Sequence, residues 1–74
     1  LMSDFCNRLQ QLKKDNNLLQ KTIAIDNGLS LRAYQYYERG EREPSLSTLI
    51  SLANYFNVSL DYLVGRTNNP EINK

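Results

Sequence analysis

The stretch that decides the fold is "LQKTIAIDNGLSLRAYQYYERG", residues 19–40. Its first part, residues 19–26, carries Ile23 and Ala24 at the spacing of one helix face and stops at Asn27-Gly28, where a glycine can take the positive φ that closes a helix. Ser30 follows almost at once as an N-cap, opening a helix that runs to Arg39 and stops at Gly40. The spacing thus predicts two short helices separated by about three residues.

Which way the second of these helices faces follows from its tyrosines. With about 100° per residue, Tyr37 and Leu31 each lie about 60° from Tyr34, on either side. These three are predicted to form one apolar face. Tyr36 lies about 160° away, close to Arg32 and Arg39, with Gln35 at the edge of the group. That opposite face is expected to be exposed. The same count turns Glu38 inward, where a carboxylate needs a partner.

Working outward, Phe5, Leu9 and Leu12 form the stripe of an amphipathic helix over residues 4–14, with Ser3 or Asp4 as its cap and "DNN" at 15–17 as its end. Beyond the "EREP" loop, Pro44-Ser45 starts a fourth helix with Leu46, Leu49, Ile50, Ala53 and Phe56 at helical spacing. Ser59 caps a short fifth helix over residues 60–64, before Gly65. There is no strand-like alternation, so the predicted class is all-α. Residues 3–65 are read as one domain, and 66–74, polar, aperiodic and broken by Pro70, as a tail or linker. Leu1 ahead of Met2 reads as a cloning remnant.

The totals narrow the chemistry. Seventy-four residues, 41% hydrophobic and 23% charged, suit a single small globular domain. One cysteine, Cys6, excludes an internal disulfide, and the lack of histidine leaves no basis for a zinc or haem site, so no cofactor is expected. No apolar run approaches the roughly 20 residues that span a bilayer and no signal-peptide layout opens the chain, so a cytoplasmic protein with no membrane partner is expected. The hydroxyls are accounted for as caps and no histidine is present to activate Ser or Cys6, which excludes the common nucleophilic enzymes. Cys6 is expected to be a small buried hydrophobe. Nine basic against eight acidic residues give a net charge of +1, so any nucleic-acid contact must come from local placement of charge.

A short helix, a glycine turn and a second helix opening at a serine form the layout in which the second helix enters the DNA major groove. From Arg8 to Thr67 the chain also resembles the Xre-like family, the helix-turn-helix domains related to lambda repressor and Cro. The resemblance rests on "RLQQLKKDNNLLQ", on "IA" with "NGLS", and on "YERGEREPSLSTLISLANYFNVSLDYLVG". It implies a compact five-helix, lambda-repressor-like domain from a bacterium or phage that binds operator DNA as a homodimer and acts as a transcriptional repressor. By this resemblance Gln20 touches a phosphate at the start of the second helix, with the helix N-terminus adding partial positive charge. Leu31, Arg32 and Tyr36 fall at base-reading positions, and Ser30, Gln35, Arg39 and Arg42 at or near backbone contacts. The inward Glu38 is expected to pair with Lys13 of the first helix.

Three departures from the family pattern carry expectations of their own. Leu31 either meets a thymine methyl or packs. Asn27 stands where the family has a buried aliphatic residue and is expected to loosen the end of the second helix. Glu41 and Glu43 occupy a loop that is commonly basic and should repel phosphate. These acidic residues, with Leu31 and Tyr36 on the surface, also support an alternative of a different class, a protein-interaction or dimerisation module that has lost operator binding. Residues 57–64 hold Val58, Leu60, Tyr62, Leu63 and Val64; Leu60 and Leu63 can close the core, and Tyr62 and Val64 are the candidates for a dimer contact. Nothing in the sequence implies a small-molecule ligand.

Overall fold

The structure, a computed structural model, describes residues 2–72; Leu1 and the last two positions of the tail lie outside the described residues. Five helices follow in order: α1 (Met2–Asp15), α2 (Gln20–Asp26), α3 (Leu31–Arg39), α4 (Leu46–Tyr55) and α5 (Leu60–Leu63). Among the described residues there is no strand, and no helix is long and apolar enough to cross a membrane.

All five helices end in one way, because each is followed by a residue that can hold a left-handed backbone. Asn17, Gly28, Gly40, Asn57 and Gly65 have φ between 53° and 85°. At each, the next residue's N–H reaches back five positions: Leu18 to Lys13, Leu29 to Ala24, Glu41 to Tyr36, Val58 to Ala53 and Arg66 to Asp61, at 2.8–3.0 Å. This is the Schellman closure, which satisfies carbonyls the helix leaves orphaned. Three of the helices also begin alike: Ser30, Ser45 and Ser59 accept from the N–H of Ala33, Thr48 and Tyr62 at 3.0–3.2 Å. Short helices with both ends satisfied need little length to persist.

The core draws on every helix, with Phe5, Leu9, Ile23, Tyr34, Leu52 and Leu63 as its fully buried large side chains. Burying each contributes about 1.5–3 kcal/mol. Helix α3 packs on α2 and α1, and α5 packs on α4 and α1, so α1 is the spine that joins the two pairs. Cys6 on α1 is buried and donates its Sγ–H to the Tyr37 carbonyl at 3.3 Å. Burial pushes its thiol pKa up, against a backbone hydrogen bond that lowers it.

The structure corrects several sequence expectations. Ser3 and Asp4 are not caps: α1 begins at Met2 and runs past both, which leaves the Asp4 carboxylate in the first turn, where the helix dipole favours it. Leu46 and Ile50 do not belong to the buried stripe of α4. They are 65% and 44% exposed, whereas Leu52 is fully buried beside Ala53, with Leu49 and Phe56 packed against them. The buried stripe is therefore centred on the Leu52 side of the helix. Leu31, expected to share a face with Tyr34 and Tyr37, is 41% exposed. Ser30, Leu31 and Arg32 are all exposed, whereas residues 33–38 of α3 are buried or half-buried. Residues 66–72 form no helix, yet they lean on the domain: Pro70 O accepts from the Ser59 N–H at 2.9 Å and Asn68 Oδ1 from Arg8 at 2.8 Å.

Gly65 supplies a test of the α1–α5 contact. Its φ is +85°, and a Cβ there would run into the Cβ and carboxylate of Asp4. Gly65→Ala is expected to lower stability by about 1–3 kcal/mol, read as a shift in the urea midpoint. An unchanged midpoint would show that the two helix ends do not approach closely in solution.

Candidate nucleic-acid interface

Helices α2 and α3 are joined by Asn27, Gly28, Leu29 and Ser30. Gly28 has φ 69°, and a Cβ there would meet nothing within 4 Å, so the turn needs glycine for its backbone and not for space. The Gly28 and Leu29 N–H groups bond to Ile25 O and Ala24 O at 3.1 and 2.8 Å. Leu29 then packs against the core, which fixes the angle at which the chain leaves α2.

Asn27 does not loosen this end. Its Nδ2 donates to Ile23 O at 2.8 Å, and its Oδ1 accepts from the Ser51 hydroxyl at 2.7 Å. Both polar ends of the amide are used, one on α2 itself and one on α4. Tyr55 on α4 adds a second link, its hydroxyl donating to Asp26 Oδ2 at 2.7 Å, a bond that raises the pKa of the Tyr55 phenol.

Helix α3 is oriented from beneath by Glu38, which is 7% exposed. Lys13 Nζ lies 2.8 Å from Glu38 Oε1, and Gln20 Nε2 donates to the same oxygen at 3.0 Å. Gln10 of α1 donates to the Glu38 carbonyl at 2.9 Å, and Gln35 Nε2 donates to Gln20 Oε1 at 3.1 Å. One carboxylate thus ties α1, α2 and α3 together. Burial pushes its pKa up, but the Lys13 ammonium, the Tyr34 hydroxyl and the Gln20 amide outweigh burial and hold the carboxyl below its ordinary value. The Tyr34 hydroxyl helps without the alignment of a full hydrogen bond: it and Glu38 Oε2 are buried and unpartnered. Desolvation first, then Glu38, raises the Tyr34 phenol.

The residues expected to meet DNA divide into two groups. Gln20 and Gln35 are half-buried and their amides are engaged with each other, that of Gln20 also with Glu38, so these side chains brace α2 against α3. Ser30, Leu31 and Arg32 are exposed in the first turn of α3, and the Ser30 hydroxyl is occupied in capping. Arg32 makes no ion pair or ring contact among the described residues. Beyond them, Arg39 pairs with Glu41 at 3.2 Å, and the Arg42 and Arg39 guanidiniums lie 4.5 and 5.7 Å from the centre of the Tyr36 ring.

Lys21, exposed at the second position of α2 and next to Gln20, is a cation at the same helix end that the sequence motifs did not single out. Its neighbour's polarity was the available signal. The candidate dimer residues are both half-buried: Arg8 stacks on the Tyr62 ring at 4.0 Å, and Val64 follows the last turn of α5. The more exposed apolar side chains near α5 are Ile50 and Ile72, which rim a shallow groove lined by Val58 and Leu60.

This geometry can be set beside known proteins. A helix-turn-helix family model matches residues 9–63. The uncharacterized HTH-type transcriptional regulator YobD of Bacillus subtilis is 36% identical over 67 residues, which cover 90% of this chain and 60% of that protein. The cryptic phage CTXphi transcriptional repressor RstR of Vibrio cholerae is 37% identical over 59 residues, 80% of this chain and 53% of that one. Among solved structures, a transcriptional regulator from Listeria innocua matches with a TM-score of 0.78 and 41% identity, over 82% of this chain and 57% of that chain. The chain thus spans little more than half the length of these relatives. With a five-helix fold, a glycine turn between α2 and α3, and a family match over most of its length, the chain belongs to the helix-turn-helix family.

Proposed function

We propose that this chain is a DNA-binding module of a transcriptional regulator, with α3 lying in the major groove and Arg32 as its principal base-reading residue. The observation that carries the reading is the first turn of α3: it is exposed, and its arginine makes no ion pair or ring contact among the described residues, while Glu38 braces the helix from below. A guanidinium so placed can bind a guanine edge bidentately. Leu31, exposed beside it, offers an apolar contact to a thymine methyl. Backbone contacts are assigned to Ser30, to the α2 end at Gln20, and to Arg39 and Arg42 at the far end of α3.

The relatives' names support the same reading, RstR being called a repressor. The module is then residues 3–65, with 66–74 as a polar tail or linker, in a cytoplasmic repressor that acts by binding and not by catalysis. It pairs with a second copy through the α5 face, where Tyr62 and Val64 are the candidates, and its half-sites lie about one DNA turn apart or a multiple of it.

Binding to a labelled duplex, followed by anisotropy from low to near-physiological salt, tests the reading. Affinity is expected to fall steeply and linearly on logarithmic axes, because each neutralised phosphate releases counterions. Absent or salt-independent binding would favour a protein partner for this surface.

A further inference from the structure

Tyr36 was expected to read bases, yet its ring is already engaged. Arg42, six residues on, folds back over it at 4.5 Å, and Arg39 lies at 5.7 Å. The return is made possible by Gly40, whose left-handed φ of 75° reverses the chain at the end of α3. Arg42 sits between Glu41 and Glu43, two carboxylates that could capture it. It pairs with neither: Glu41 is taken by Arg39 at 3.2 Å, and Arg42 has no ion pair among the described residues. The aromatic face attracts a guanidinium without neutralising its charge, which leaves the N–H edge of Arg42 free to donate.

We propose that Tyr36 is a positioning residue: its ring is a platform that holds Arg42 away from the loop glutamates and ready for a backbone phosphate. The inference rests on the DNA-binding reading above and deepens it. It offsets the acidic loop in part: Glu41 is paired with Arg39 at 3.2 Å, and the Arg42 cation is held on a ring, while Glu43 has no ion pair among the described residues. Tyr36 then acts on affinity and not on sequence choice.

The test uses Tyr36→Phe, Tyr36→Leu, Arg42→Ala and the Leu/Ala double variant, each checked for an unchanged thermal midpoint. Tyr36→Leu is expected to weaken binding to preferred and scrambled duplexes by the same factor, about three- to tenfold, and to lower the salt slope by about 1, as Arg42→Ala does. Tyr36→Phe keeps the ring and should stay within about twofold of the original. The double variant should be no weaker than Arg42→Ala alone. A changed site preference in Tyr36→Leu, or additive losses in the double variant, would overturn the proposal. A second readout needs no DNA: the Arg42 δ-protons should resonate upfield under the Tyr36 ring, keep that shift in Tyr36→Phe and lose it in Tyr36→Leu. Absence of the shift refutes the platform whatever the duplex does, whereas a normal shift with no duplex binding refutes the DNA-binding reading and the purpose assigned to the platform.

Discussion

Lys13→Met is expected to lower the unfolding free energy by about 2–4 kcal/mol, as a shift in the urea midpoint with little change in slope. Methionine keeps the unbranched stem of the side chain but removes the ammonium that partners Glu38, a residue 7% exposed. Removing one partner of a buried pair costs about 3–5 kcal/mol. The lower figure used here allows for a Lys13 side chain that is 21% exposed and for Gln20, which remains at 3.0 Å. For a domain of this size, whose total stability is about 4–11 kcal/mol, that is a large fraction. Lys13→Arg, which keeps the charge, should lose far less. An unchanged midpoint in Lys13→Met would show that the pair contributes nothing and that α3 is braced by apolar packing alone.

The same carboxylate sets a pH dependence. Its folded-state pKa lies below the ordinary value of 4.5 near which it titrates when unfolded. Its contribution is therefore fully present above that value and lost as pH falls through the lower, folded pKa. Stability should decline below about pH 4.5, and Glu38→Gln should flatten part of that decline.

Arg32→Ala is expected to reduce affinity for the preferred duplex by about 10- to 100-fold, while binding to scrambled duplex changes much less. The free energy involved is about 1–3 kcal/mol, the worth of one bidentate contact to a base pair. The asymmetry between preferred and scrambled duplex is the informative part, because a residue that only touched phosphate would weaken both alike. Since Arg32 is exposed and pairs with no carboxylate among the described residues, its removal should leave the thermal midpoint unchanged. Equal loss on both duplexes would move base reading away from the first turn of α3.

What the sequence could show depended on how local the cause was. Helix starts at Ser30, Ser45 and Ser59 and stops at Gly28 and Gly40 follow from one residue's chemistry, and these were legible. The burial of Tyr34 follows from the helical step and was legible too, but Tyr36, counted onto the exposed face, is half-buried. Leu31, Leu46 and Ile50 were not, because their exposure depends on where neighbouring helices stop covering them. Asn27 was misjudged for a related reason: its partner Ser51 is 24 residues away, and nothing near Asn27 announces it. The contact of Tyr36 with Arg42 needs the chain reversal at Gly40, which an angular count confined to the helix cannot include.

Selection of binding sites from a random duplex pool, carried out at low and near-physiological salt, tests the central claim most directly. The expected result is enrichment of a palindrome whose half-sites lie about one DNA turn apart or a multiple of it, persisting at the higher salt. No enrichment, with retention lost at modest salt, would contradict the account and make the surface of α3 a docking face for another protein.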